Sequence, residues 1–248
     1  MILRLNGVSK RYLRPSGVER VALDGVSLEL ERGQIMGVFG PSGSGKTTLL
    51  QVAAGVLAPD SGSVSYEGEQ LMLMSSAERQ RIRRREISCL WSAQPGQGRL
   101  GVLEHVGLPL LVDHCERRFA DRRAREALLV CGAEQCVGME IPDLSDGERQ
   151  RVGVARALVT EPRLLLADGP ASSLSLIEQE EIMLLLSSLA REAKVAVLVA
   201  DVDAEALLRA EPIFYMRDGR LVNPEPVSER GQLYRFPSGP ARRASGDA

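Results

Sequence analysis

Nine consecutive residues, Gly40-Pro41-Ser42-Gly43-Ser44-Gly45-Lys46-Thr47-Thr48, follow the spacing GxxxxGK[ST]. Glycines in such a run let successive backbone N–H groups point inward around a phosphate, and a helix opening at its end adds its positive dipole. Gly40, Ser42, Gly43, Ser44, Gly45 and Thr48 are the expected cradle. Lys46 is expected to reach the β- and γ-phosphates of a nucleoside triphosphate. Thr47 offers a hydroxyl to magnesium, which takes few protein oxygens and fills its shell with phosphate and water. Of the 31 lysines and arginines only Lys10, Lys46 and Lys194 are lysine, so a lysine inside this loop is a specific choice.

A second magnesium anchor is expected at Asp168, which ends the apolar run Leu164-Leu165-Leu166-Ala167 and can face the loop across a sheet edge. The loop itself needs a strand before it and a helix after it. Residues 21–30 and 35–39 read as strands and 46–54 as a helix. Further strands are expected at 164–167, 195–199 and 213–216, separated by helical patterns such as 176–192. That alternation predicts an α/β fold with a largely parallel sheet covered by helices. Across 92–143 the strand signal fades and helices are expected at 103–111 and 117–130, an inserted helical subdomain. Residues 223–248 are rich in Pro, Gly, Ser and Arg and are expected to form a peripheral or mobile tail.

The 248 residues, 44% hydrophobic, suffice for one substantial core. No apolar stretch approaches the roughly 18–20 residues of a membrane span. The start, Met1-Ile2-Leu3-Arg4-Leu5, reads as a strand and not as a secretory signal, so a cytosolic location is expected. The net charge of −2 gives no electrostatic case for nucleic acid. The arginine-rich stretch 79–85 lacks interleaved aromatics for base stacking and reads as a solvated helix face. Cys89, Cys115, Cys131 and Cys136 form no CxxC pair, and His105 and His114 show no metal-ligand spacing. Reduced structural thiols are expected.

Leu144-Ser145-Asp146-Gly147-Glu148-Arg149-Gln150-Arg151 resembles the signature of ABC-type ATPases. With the phosphate loop before it and Asp168 after it, the chain resembles an ABC nucleotide-binding domain over residues 3–222. Ala22-Leu23-Asp24-Gly25-Val26-Ser27-Leu28, the arginine-rich stretch 79–85 before a strand, Leu103-Glu104-His105-Val106 and Arg217-Asp218-Gly219-Arg220-Leu221 resemble the branch that serves lipoprotein release and macrolide-type efflux. The resemblance implies a P-loop NTPase (RecA-like) core with an N-terminal antiparallel β subdomain and an inserted α-helical subdomain. It also implies ATP and magnesium as ligands and a membrane permease as partner. A second nucleotide-binding subunit would join in a head-to-tail dimer, held at the inner face of the cell membrane through the permease. Ser145, Gly147 and Glu148 would then meet the partner's nucleotide. Tyr12 stands where the family stacks an aromatic ring on adenine; a plain surface tyrosine is the alternative.

Several positions depart from the family pattern. The residue after Asp168 is Gly169, where the family carries the glutamate that handles the attacking water. Val202 takes the place of the switch histidine, and Ser175 that of an aspartate a few residues after Asp168. The Q-loop glutamine falls at Ser92 or, with a shift of two, at Gln94. Asp146 replaces the first glycine of the signature. Phosphate and magnesium positions are kept while hydrolytic ones are lost. The implied function is an ATP-holding transporter subunit with impaired hydrolysis, paired with a more competent ATPase. An active homodimer using an unrecognised water-positioning group, and a non-transport ATP-binding regulator, are the alternatives.

Overall fold

The computed structural model describes residues 1–13, 17–91, 99–172, 174–207 and 209–222. Strands β1 (Leu3–Leu13) and β2 (Glu19–Leu30) bury alternate residues, Leu3 and Leu5 on one, Val26, Leu28 and Leu30 on the other, as a half-covered sheet requires. β3 (Ile35–Phe39) is buried throughout and runs through the glycine loop into α1 (Lys46–Ala53). β4 (Ser61–Tyr66) and β5 (Glu69–Gln70) then return to β1, giving an antiparallel sheet of order β2-β1-β4-β5.

The chain continues through α2 (Ser76–Arg85), β6 (Ile87–Trp91), α3 (Val102–Val112), α4 (Arg117–Val130) and α5 (Asp146–Leu158). It closes with β7 (Leu164–Asp168), α6 (Leu176–Ala193), β8 (Ala196–Asp201), β9 (Ile213–Arg217) and β10 (Arg220–Val222). The second sheet has the order β10-β9-β3-β8-β7-β6 and is parallel except for β10. The β9–β10 turn is the pair Asp218-Gly219, both at positive φ (48° and 79°), the conformation a two-residue hairpin needs. Gly219 N–H donates to the Ser44 carbonyl at 3.0 Å, so this hairpin braces the phosphate loop from behind.

One sequence device opens three of the helices. Ser75, Ser145 and Ser175 each accept a hydrogen bond from the backbone N–H of the glutamate three residues on, whose carboxylate returns to the serine. These capping boxes satisfy amide groups that a helix start leaves unpaired.

The parallel sheet separates two cores by simple pleat alternation. Leu164, Leu166, Leu198 and Ala200 face α1 and the antiparallel sheet. Leu165, Ala167, Val197 and Val199 face the cluster that contains α3, α4, α5 and α6. Burial of the apolar residues on both faces, at about 25 cal/mol per Å², fixes the register of β3, β7 and β8. Their carboxyl ends are thereby brought level. Phe39 lies beside Asp201 and Asp168 beside Ala200.

Candidate functional site

A pocket of 420 Å³ opens at those carboxyl ends, the place where parallel sheets receive ligands. Its lining includes Ser42, Gly43, Gly45, Lys46, Thr47 and Thr48 of the phosphate loop. Gly40 and Gly45 are required by close approach: a Cβ on either would lie 2.1 Å from a backbone oxygen, of Met216 and Ala22 respectively. Gly45 also sits at φ 112°, which favours glycine. Ser44 is buried within the loop.

Lys46 is only 7% exposed. Its Nζ donates to the Gly40 carbonyl at 2.6 Å and the Pro41 carbonyl at 3.0 Å, so the cation pins the loop that a phosphate would enter. Burial pulls its pKa down, and the nearby carboxylates of Asp168 and Asp201 push it partly back.

Thr47 Oγ1 donates to Asp168 Oδ2 at 2.7 Å. The expected pair of hard oxygen donors is therefore assembled at the edge of the pocket, a donor set that fits magnesium. Gly169 follows at φ 59°, its N–H bonded to the Ala200 carbonyl at 2.7 Å. It lines the pocket without any side chain, and residues 170–175 contain no acid. Val202, expected to take the place of the switch histidine, also lines the pocket and is 53% exposed.

Tyr12 lies in the lining, across from Arg20 in the β1–β2 ladder and 39% exposed. Ser145, Gly147 and Glu148 are not part of the lining. Ser145 and Glu148 bond each other at the start of α5, at 3.0 Å and 2.9 Å to the Glu148 carboxylate. Gly147 is buried where a Cβ would come 2.5 Å from Glu178 Oε1. Asp146 bonds Arg149 at 2.9 Å, which offsets part of its charge. Ser175 is engaged in the cap of α6. Ser92 and Gln94 lie outside the described residues.

Two pocket residues escaped the sequence reading. Arg20 donates to the Gly43 carbonyl at 2.7 Å; a lone arginine in a strand carries no signal of this. Asp201 is 3% exposed, and its pKa is raised, first by burial. Its signal was present: Val197-Leu198-Val199-Ala200-Asp201 repeats the apolar-run-then-aspartate pattern of Leu164 to Asp168.

The family profile described as ABC transporter matches residues 23–172. The chain belongs to this family. Among ABC relatives it is 33% identical to the uncharacterized ABC transporter ATP-binding protein YvrO of Bacillus subtilis (strain 168), over 94% of this chain and 99% of that one. It is also 33% identical to the lipoprotein-releasing system ATP-binding protein LolD of Ruegeria sp. (strain TM1040), over 89% and 97%. The dimeric structure of MJ0796, a bacterial ABC transporter cassette, superposes with a TM-score of 0.81 at 30% identity, covering 95% of this chain and all of that one. A post-hydrolysis state of MJ0796 with ADP and Pi gives the same values. The α/β fold is thus that of an ABC ATP-binding cassette. No helix among the described residues is long and apolar enough to cross a membrane.

Proposed function

We propose that this ABC subunit binds Mg-ATP in the pocket over the phosphate loop and closes with a second nucleotide-binding subunit to drive a separate membrane permease. The observation that carries this is the complete phosphate and metal half-site, Lys46 on its loop and Thr47 against Asp168, beside a signature helix whose start lies outside the same pocket. A head-to-tail pairing brings those separated halves together. Ser145 and the Gly147 backbone then complete the partner's site, and the partner's signature completes this one. The dimeric MJ0796 cassette supports such an assembly.

Within the site, the loop amides hold the phosphates, and Lys46 transfers its hydrogen bonds from the loop carbonyls to phosphate oxygens. Thr47 and Asp168 would hold magnesium, which when bound supplies positive charge against the triphosphate. Tyr12 supplies a ring face for the base. Hydrolysis at this pocket is slow, because Gly169 brings no carboxylate and general-base positioning contributes about 10²- to 10⁴-fold. A heterodimer with a more competent ATPase subunit follows from that asymmetry. The location is the inner face of the cell membrane, through the permease; cargo such as the lipoproteins of LolD is one candidate class.

Affinity isolation of the full-length chain from membranes tests the assembly. Recovery of an integral-membrane permease together with a second ATP-binding subunit is the expected result. A chain found free of any membrane partner contradicts it.

A further inference from the structure

Position 169 has no side chain, yet the pocket is not without a carboxylate that can serve water. β8 lies between β3, which enters the phosphate loop, and β7, which ends at Asp168. Its last residue, Asp201, lines the pocket. Pleat alternation puts Val197, Val199 and then Asp201 on the same face of the sheet as Leu165 and Ala167. Asp168 lies on the opposite face, beside Thr47. The carboxylate of Asp201 is therefore on the face away from Asp168, at the end of the strand next to β7, and it lines the same pocket as Gly169. The Gly169 N–H, bonded to the Ala200 carbonyl, ties the two positions together.

The hydrogen bonding of Asp201 is incomplete in one specific way. Oδ1 accepts from the Val202 N–H at 2.7 Å, which fixes the carboxylate plane. Oδ2 is buried and has no hydrogen-bond partner among the described residues. A buried acceptor without a donor is destabilising, so the folded state calls for a donor there. The terminal phosphate of ATP offers only acceptors. Water offers two donors.

We infer that Asp201 holds the attacking water, so that whatever ATP hydrolysis this pocket performs runs through its Oδ2. The inference rests on the ATP-binding reading above. In the step it serves, the water oxygen bonds to the γ-phosphorus while the bond from that phosphorus to the β–γ bridging oxygen breaks. ADP leaves with that electron pair, and the water proton passes to Asp201 Oδ2. Aspartate has one methylene fewer than the family's glutamate and stands on the neighbouring strand, which fits slow turnover better than none.

The test uses the full-length chain in excess over γ-labelled ATP with magnesium, following single-turnover phosphate release and retained ATP together. Asp201→Asn keeps the shape and removes the base. It is expected to bind ATP within about twofold of the unchanged chain, to release phosphate about 10²-fold more slowly, and to persist as an ATP-bound pair in sedimentation. Unchanged thermal unfolding and ATP retention show that the variant is folded. Equal release rates overturn the inference. So does the absence of any release by the unchanged chain above the solvent rate, and so does a parallel loss of ATP and magnesium affinity in Asp201→Asn, which would make Asp201 a cation ligand. If the unchanged chain retains no ATP and Lys46→Ala alters nothing, the ATP-binding reading fails instead.

Discussion

Thr47 Oγ1 and Asp168 Oδ2 lie 2.7 Å apart although 121 residues separate them in the chain. The contact joins the first turn of α1 to the end of β7 and places two oxygen donors at the edge of the pocket. Thr47→Ala and Asp168→Asn are each expected to weaken magnesium-dependent ATP binding by at least about tenfold. ATP binding in excess chelator should change far less. Titration of a fluorescent ATP analogue with and without magnesium makes the comparison, and equal losses in both conditions would count against a metal role.

Lys46 is buried and bonded to two loop carbonyls, so truncating it removes the cation that phosphate needs and takes one hydrogen bond from each, although the Pro41 carbonyl keeps the one from the Ser44 N–H at 3.1 Å. Loss of a buried, hydrogen-bonded charge costs about 2–5 kcal/mol. Lys46→Ala should lower ATP affinity about 30-fold or more by calorimetry. Retained affinity would show that the pocket is not the ATP site.

The phosphate loop was legible in the sequence because its chemistry is local: nine consecutive residues hold glycines, lysine and hydroxyl in order. β3 and α4 fall on their predicted residues, since continuous apolar or periodic patterns need no distant information. What stayed hidden depends on register between distant segments. That Asp201 reaches the same pocket as Asp168 and Gly169 follows from β7–β8 pairing, and β8 runs two residues beyond the expected strand, through Asp201. Ser175 looked like a lost aspartate; its cap on α6 gives it a local structural task. Arg20 reaches the loop only because β2 crosses it.

The three capping boxes allow a structural role to be separated from a nucleotide role. Ser75→Ala and Ser145→Ala should each cost about 0.5–2 kcal/mol of stability, since each removes the same cap. Only Ser145→Ala should also suppress ATP-dependent pairing, measured by sedimentation with magnesium and ATP. Equal pairing by both variants would remove the signature helix from the partner's site.

His105 is buried, with Arg156 Nη1 3.4 Å from its Nε2. Burial first, and then the Arg156 charge, push its pKa down to about 4. Its folded pKa is below the ordinary value near 6.5, so in that interval the unfolded chain takes up a proton that the folded chain refuses. The stability this group contributes is whole above about pH 6.5 and declines as pH falls toward 4, by about 2–3 kcal/mol. Urea unfolding across that range should show the decline, and His105→Gln should flatten it. A decline of unchanged size in His105→Gln would place its origin elsewhere.

Gly169 adopts φ 59°, so Gly169→Glu carries a left-handed backbone penalty of about 1–2 kcal/mol. It should nonetheless speed phosphate release, or trap the ATP-bound pair if release of the pair is limiting. A variant that is destabilised as expected but unchanged in hydrolysis would mean that position 169 does not face the attacking water.

The most direct test of an ATP-holding subunit with a slow pocket measures pairing and turnover in one sample of the full-length chain with magnesium and ATP. The expected result is an ATP-dependent head-to-tail pair that forms rapidly, requires Lys46 and releases phosphate slowly. Brisk steady-state turnover by the isolated chain, abolished by Lys46→Ala, would contradict it.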